Sequence, residues 1–212
     1  MTRKLFVYGS LCNGMAHFPK IQQYVSSIEE ACVVGRAYML KVGYPVVIVS
    51  DDPHAQGDLI PGQILEIQGS ELLGHLLDEF HGCSMLQPEK GLHLRKQIQA
   101  EVTKPVGGAL QAHEQFHVAC DIYSLNPIKL PKNAVLIPQG DWRQYFCAQK
   151  ALPGQLSDRQ RQYVQKLGTS SGRDIVPIDL PLYRELMNLG LIVDKGRRLA
   201  LSALGKEVLR YL

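Results

Sequence analysis

The run Leu5-Phe6-Val7-Tyr8-Gly9-Ser10-Leu11 sets a turn with chemical potential directly after a short apolar stretch. Leu5, Phe6, Val7 and Tyr8 predict a buried strand. Gly9 then allows backbone angles closed to other residues and lets a second group approach the main chain. Ser10 adds a small hydroxyl beside backbone N–H groups. The turn is a candidate cradle for a carboxylate or an oxyanion, although an ordinary strand-ending turn has the same composition. Downstream, Leu77-Asp78-Glu79-Phe80-His81-Gly82 gathers two carboxylates and an imidazole. Ser10 and His81 could form a nucleophile–base pair for acyl transfer, but no third member is evident. His81-Gly82-Cys83 and the pair His113/His117 hold ligating residue types without a full ligand set at recognised spacing, so no metal is expected.

The elements that must position these groups follow from periodicity. Residues 20–30 predict a short helix with Ile21, Tyr24, Val25 and Ile28 on one face. Residues 31–42, 46–49, 62–67, 92–102 and 116–124 predict strands, and Asp51–His54 with Gly57 a turn. Residues 104–115 predict a loop. Ser70 is a fair N-cap for a helix whose apolar stripe is Leu72, Leu73, Leu76, Leu77 and Phe80. Asp78 and Glu79 fall at its C-terminal end, where the helix dipole disfavours anions by up to about 1 kcal/mol. Either Arg95 or another cation pairs with them, or they belong to a site. Many short strands with few helices give an α+β class: a small closed or nearly closed sheet with flanking helices.

Composition narrows the function classes. The chain has 212 residues, 45% hydrophobic and 20% charged, as in ordinary globular proteins. A net charge of +3 is too mild to imply nucleic acid by itself. Residues 151–212 hold 10 Lys/Arg against 6 Asp/Glu, whereas residues 1–150 hold 13 against 14. Five scattered cysteines with no Cys-x-x-Cys pair read as reduced thiols and point to the cytoplasm. The N-terminal apolar stretch is too short for a signal peptide, and Tyr8-Gly9-Ser10 is a poor cleavage site. No apolar run reaches the length of a membrane span.

A proline-bearing connector (Pro127, Pro131, Pro138, Pro153) separates two parts, expected as domains over 1–150 and 151–212. Trp142 within it is expected to pack. In the second part Ser157 and Gln160 fit a capping box, Asp179 and Pro181 a helix start, and Gly190 its end. Leu191–Val193 and Leu199–Leu201 flank the basic turn Asp194-Lys195-Gly196-Arg197-Arg198, and Ser202 caps a last helix. Helix, helix, hairpin, helix resembles the second half of a winged helix-turn-helix module. In that reading Lys195, Arg197 and Arg198 would contact DNA phosphate; a small appendage that packs or contacts protein is the alternative.

Residues 4 to 145 carry a more specific likeness. Tyr8-Gly9-Ser10-Leu11 is followed by Gly35-Arg36-Ala37-Tyr38, Gly43-Tyr44-Pro45, Pro61-Gly62-Gln63-Ile64-Leu65, Leu77–Gly82, Leu94-Arg95 and Asp121-Ile122-Tyr123. This order and spacing resemble the gamma-glutamylcyclotransferase-like family. The resemblance implies a small mixed β-barrel with flanking helices and a gamma-glutamyl amine or peptide as substrate. The substrate's α-amino group attacks its own γ-carbonyl, giving 5-oxoproline and a free amine without metal or cofactor. It implies that Tyr8, Gly9, Ser10, Leu11, Tyr44, Pro45 and Tyr123 contact the ligand. Family members place an acid/base glutamate directly before the glycine of Leu-Asp-x-x-Glu-Gly; here that position is His81, with Glu79 two residues away. Three readings stay open. His81 takes over the proton shuttle, its ordinary pKa of about 6.5 suiting the task. The site only binds an acidic ligand, with a DNA- or protein-binding tail attached. Or Ser10 and His81 act together.

Overall fold

The computed structural model describes residues 2–50, 56–68, 71–105, 113–143, 151–171, 174–196 and 198–212. They fall into two compact units: residues 1–40 with 44–148, and residues 41–43 with 149–212.

The first unit is built on a sheet that closes on itself. β1 (Thr2–Val7) lies between β4 (Asp58–Gln68), antiparallel to it, and β6 (His113–Leu125), parallel to it. β6 pairs antiparallel with β5 (His93–Pro105), and β4 with the long β2 (Val25–Met39). A β2–β5 pairing at Cys32 and Glu101 closes the ring, giving a five-stranded mixed barrel. The far end of β2 also pairs with β3 (Pro45–Ile48) and β7 (Val135–Leu136).

Register assigns the faces, because directly paired residues point the same way. Phe6 lies opposite Ile64 and beside Ile122, Ala31 opposite Gly62, and Val33 opposite Ile60. These side chains fill the interior, where Phe6, Ile60 and Ile122 are at most 1% exposed. Gly62 is required there, since a Cβ would overlap the Phe6 ring. The other face carries Leu5, Ile67 and Tyr123, which with Leu73 and Leu77 line a void of about 20 Å³ beneath α1 (Glu71–His81).

Each predicted strand has its counterpart, and β4, β5 and β6 run longer than their apolar cores suggest, so that residues 104, 105 and 113–115 of the expected loop are strand. The helix expected over 20–30 is not formed. Residues 18–20 and 22–24 make short 3-10 turns, and from Val25 the chain is strand β2. The β-branched Val25 and Ile28 pair with Ile67 and Leu65, so sheet partners tens of residues away override the helical spacing. In α1 only Leu73 and Leu77 of the stripe are buried; Leu72 and Leu76 are exposed. Ser70, Asp51–His54 and residues 106–112 of the expected loop lie outside the described residues. Trp142 packs as expected, fully buried with its Nε1–H donating to the Pro61 carbonyl at 2.6 Å.

The second unit begins with the single turn α2 (Leu152–Gln155). α3 (Asp158–Thr169) opens on the Ser157/Gln160 capping box. α4 (Leu180–Asn188) is capped by the Asp179 side chain, which accepts from Leu182 N–H. Gly190 follows α4 at φ +69°. β8 (Ile192–Asp194) and β9 (Leu199–Leu201) form a hairpin. α5 (Ala203–Leu209) starts at Ser202, whose hydroxyl accepts from Gly205 N–H. Val164, Leu186, Leu191 and Val208 are fully buried. Among the described residues no helix is long and apolar enough to cross a membrane.

Candidate functional site around His81, Tyr123 and the Tyr8–Leu11 turn

β1 ends at Val7, and Tyr8 leads into a 3-10 turn over Gly9–Leu11. Gly9 sits at φ +67°, and a Cβ there would lie 2.8 Å from Pro45 Cγ. Both features demand glycine. Pro45 thus lies against the turn, and Gly9, Ser10 and Leu11 are buried, Ser10 with 9% exposure. His17 N–H donates to the Ser10 carbonyl at 2.8 Å and tightens the chain that follows. The Tyr8 hydroxyl donates to the Tyr123 carbonyl at 2.8 Å, tying the turn to β6.

α1 delivers His81 to the same place. Gly82, at φ +59°, ends the helix in a left-handed cap. Cys83 N–H reaches back to Asp78 O and Gly82 N–H to Glu79 O, the paired bonds of a Schellman motif. His81 is therefore the last residue before the chain reverses, and its ring leaves the helix end toward β6. There it stacks on Tyr123, centroids 3.9 Å apart and planes within 1°. His81 Nδ1 lies 2.9 Å from the Leu77 carbonyl. A carbonyl only accepts, so the contact puts a proton on Nδ1, and in the neutral ring form the lone pair falls on Nε2. His93 Nδ1 donates likewise to the His81 carbonyl at 2.7 Å.

Aromatic rings continue the cluster. Tyr44 and His17 are 5.6 Å apart, His17 and Phe80 5.2 Å, and Phe80 and His81 5.0 Å. His17, Tyr44, His93 and Tyr123 are each buried.

Asp78 answers the question raised by an acidic residue at a helix C-terminus. The Tyr123 hydroxyl donates to its Oδ1 at 2.6 Å, and Arg95 donates from NH1 at 3.3 Å and 3.4 Å. Burial, and then the Asp78 carboxylate, push the Tyr123 phenol well above its ordinary pKa. Burial disfavours charge on Arg95, but Tyr123, Asp78 and Asp121 outweigh it and raise its pKa. Glu79 is exposed on α1.

A second polar group flanks the turn. Glu30 and Val7 both pair with Gln63, so all three share the face that carries Tyr123. Gln63 Oε1 accepts from Asn13 N–H at 2.7 Å, and its Nε2 donates to Glu30 Oε1 at 2.6 Å. Arg143 closes the chain on Glu30 Oε2 at 2.6 Å. Burial raises the Glu30 pKa, but the bonds from Arg143 and Gln63 prevail and leave it below the ordinary value. Burial pushes the neighbouring Cys12 thiol up to about 12, so it stays protonated.

Of the residues expected from sequence, the fold thus joins Tyr8, Tyr123 and His81, sets Pro45 against Gly9, and links Tyr44 to His81 through the rings of His17 and Phe80. It does not join Glu79. Sequence reasoning passed over His93 and Glu30, which lie in strands with no local signal, and Arg143; Gln63 stood in the quoted Pro61–Leu65 run without a role.

The model of the family described as gamma-glutamyl cyclotransferase, AIG2-like, matches residues 5–144. The chain belongs to that family. Similar solved structures include an AIG2-like protein from Mus musculus, at 17% identity, 62% of this chain, 80% of that chain and TM-score 0.44. YkqA from Bacillus subtilis has 23% identity over 68% of this chain and 41% of its own, with TM-score 0.42. The allophanate hydrolase of Kluyveromyces lactis has 14% identity over 70% of this chain and 21% of its own, with TM-score 0.43. No curated protein matches the chain. The AIG2-like match ends before residues 151–212, which keep their own small fold.

Proposed function

We propose that this gamma-glutamyl cyclotransferase-like chain converts a gamma-glutamyl amine or peptide into 5-oxoproline and a free amine. The observation that supports the reading is the seat of His81: the residue that the resemblance sets at the family's glutamate position lies flat on Tyr123, whose carbonyl holds Tyr8 beside the Gly9–Ser10 turn. His81 Nε2 takes a proton from the substrate α-ammonium. The freed amine attacks the γ-carbonyl, and its electron pair forms the ring C–N bond. Backbone N–H groups at Gly9–Ser10 receive the oxyanion. Collapse breaks the original γ-amide bond as the imidazolium gives its proton to the leaving nitrogen, and the ring nitrogen loses its second proton to solvent, leaving the neutral lactam N–H. The test is incubation with gamma-glutamyl amines and dipeptides, reading 5-oxoproline. Release by the wild type and its loss in His81→Ala support the reading; no release from any of them overturns it.

The burial of the turn favours a second reading, binding of an acidic ligand without turnover. Ser10 is 9% exposed, and Pro45 lies against Gly9. Calorimetry with 5-oxoproline distinguishes the two: binding without turnover supports this reading, and no binding ends it. For residues 151–212 we propose a winged-helix-like module that contacts DNA or protein. Lys195 and Arg198 are exposed at the β8–β9 turn, while Arg197 lies outside the described residues. A gel shift with duplex DNA that weakens steeply with salt would support DNA contact, and no shift at low salt would remove it.

A further inference from the structure

We propose that Gln63 is the positioning residue of the Tyr8–Leu11 turn, acting through the chain Asn13–Gln63–Glu30–Arg143. The proposal rests on the cyclotransferase reading for its catalytic consequence, but not for its structural one.

The chemistry at position 63 is two-sided. Toward the turn it meets a backbone N–H, which requires an acceptor; toward β2 it meets a carboxylate, which requires a donor. A primary amide supplies both and can sit in one orientation only. A carboxylate would face Glu30 with like charge, and an apolar side chain would strand the Asn13 N–H. Gln63 is itself 8% exposed, but Asn13 and the 64% exposed side chain of Glu30 meet solvent, so water replaces part of either lost bond.

Asn13 is where this latch grips the chain, and the neighbouring bonds carry its effect to the turn. Cys12 N–H donates to Gly9 O at 3.2 Å, and Cys12 Sγ lies 3.5 Å from the Val7 carbonyl. Val7 also pairs with Gln63, so the strand end and the loop beyond the turn are both referred to one residue of β4. At the outer end, Arg143 fixes the second oxygen of Glu30 and leaves Oε1 to Gln63. The Gly9 and Ser10 N–H groups would then be held before ligand arrives.

The test reverses the polarity of the latch. In Gln63→Glu the carboxylate still accepts from Asn13 but repels Glu30. In the double variant Gln63→Glu with Glu30→Gln, the new amide donates to residue 63 and accepts from Arg143, so every bond has a donor and an acceptor again. Two readouts are taken: hydrogen exchange of the Asn13 amide by NMR, and 5-oxoproline release. We expect exchange at Asn13 to rise about tenfold or more in Gln63→Glu and to return to within about threefold of wild type in the double variant. We expect kcat/KM to fall and recover in parallel, mainly through kcat. Unchanged exchange in the single variant, or no recovery in the double, overturns the proposal. Should Gln63→Glu not fold, the double variant and Arg143→Met decide: near-wild-type exchange in the double with a rise of a few fold in Arg143→Met supports the latch, and any other pattern overturns it. A wild type without turnover defeats the cyclotransferase reading alone, because the exchange readout still tests the latch.

Discussion

The imidazole of His81 lies parallel to the ring of Tyr123 at 3.9 Å, joining the end of a helix to a barrel strand 42 residues further along the chain. Around this contact the same few groups hold the helix end to the strand and form the proposed site. His81 Nδ1 ties off a carbonyl of the last turn of α1, Tyr123 holds Asp78 with its hydroxyl, and its carbonyl holds Tyr8.

Replacing His81 separates these duties. His81→Phe keeps an aromatic ring for Tyr123 and removes the proposed base, so thermal melts should show a loss of no more than about 1–2 kcal/mol, from the bond to Leu77. 5-Oxoproline release should fall by about 10²-fold or more. His81→Glu restores the residue type of the family motif and should retain measurable turnover, which an assay of the purified variant checks.

Tyr123→Phe should destabilise the barrel by about 1–3 kcal/mol, since Asp78 loses its 2.6 Å donor while staying partly buried. The pH dependence has a defined sign. The phenol's pKa is raised in the folded state by burial and then by Asp78. Its contribution is therefore complete below the unfolded tyrosine pKa of about 10, and it declines as pH rises from there through the folded value. Urea denaturation at pH 8 and pH 11 should show a steeper loss in the wild type than in Tyr123→Phe.

Arg95→Met leaves the Asp78 carboxylate with the phenol as its remaining donor among the contacts described. The two side chains are 21% and 16% exposed, so water only partly replaces the guanidinium. A loss of about 1–3 kcal/mol is expected in chemical denaturation. Arg95→Lys should recover only part of it, because one ammonium is a poorer match to the two carboxylate oxygens.

Gly9→Ala meets two penalties at once: a positive φ, and a Cβ 2.8 Å from Pro45 Cγ. A cost of about 2–4 kcal/mol is expected from strain and overpacking together. Pairing it with Pro45→Ala should relieve the contact but not the φ, so differential scanning calorimetry should recover less than the whole loss.

Acidification offers a check on the second polar group. The Glu30 pKa is depressed, so its contribution is present at neutral pH and is lost as pH falls below the ordinary value of 4.5. Stability measured between pH 6 and pH 3 should fall less in Glu30→Gln than in wild type.

The sequence by itself determined the local features. The strand into Tyr8-Gly9, the helix ending at Gly82, the caps at Ser157, Asp179 and Ser202, and the hairpin before Ser202 depend on contacts within a few residues. Those contacts are written in residue type and spacing. The tertiary structure decided the rest. Residues 25–30 have helical spacing, yet they become strand because Ile67, Leu65 and Gln63 lie alongside. Asp78 is held by Arg95 and Tyr123, and Glu30 and Gln63 come to the edge of the turn only when β1, β2 and β4 align. Sheet register depends on partners 30 to 60 residues distant, such as Val7 with Gln63 and Glu30 with Gln63, and no local pattern encodes which distant strand will arrive.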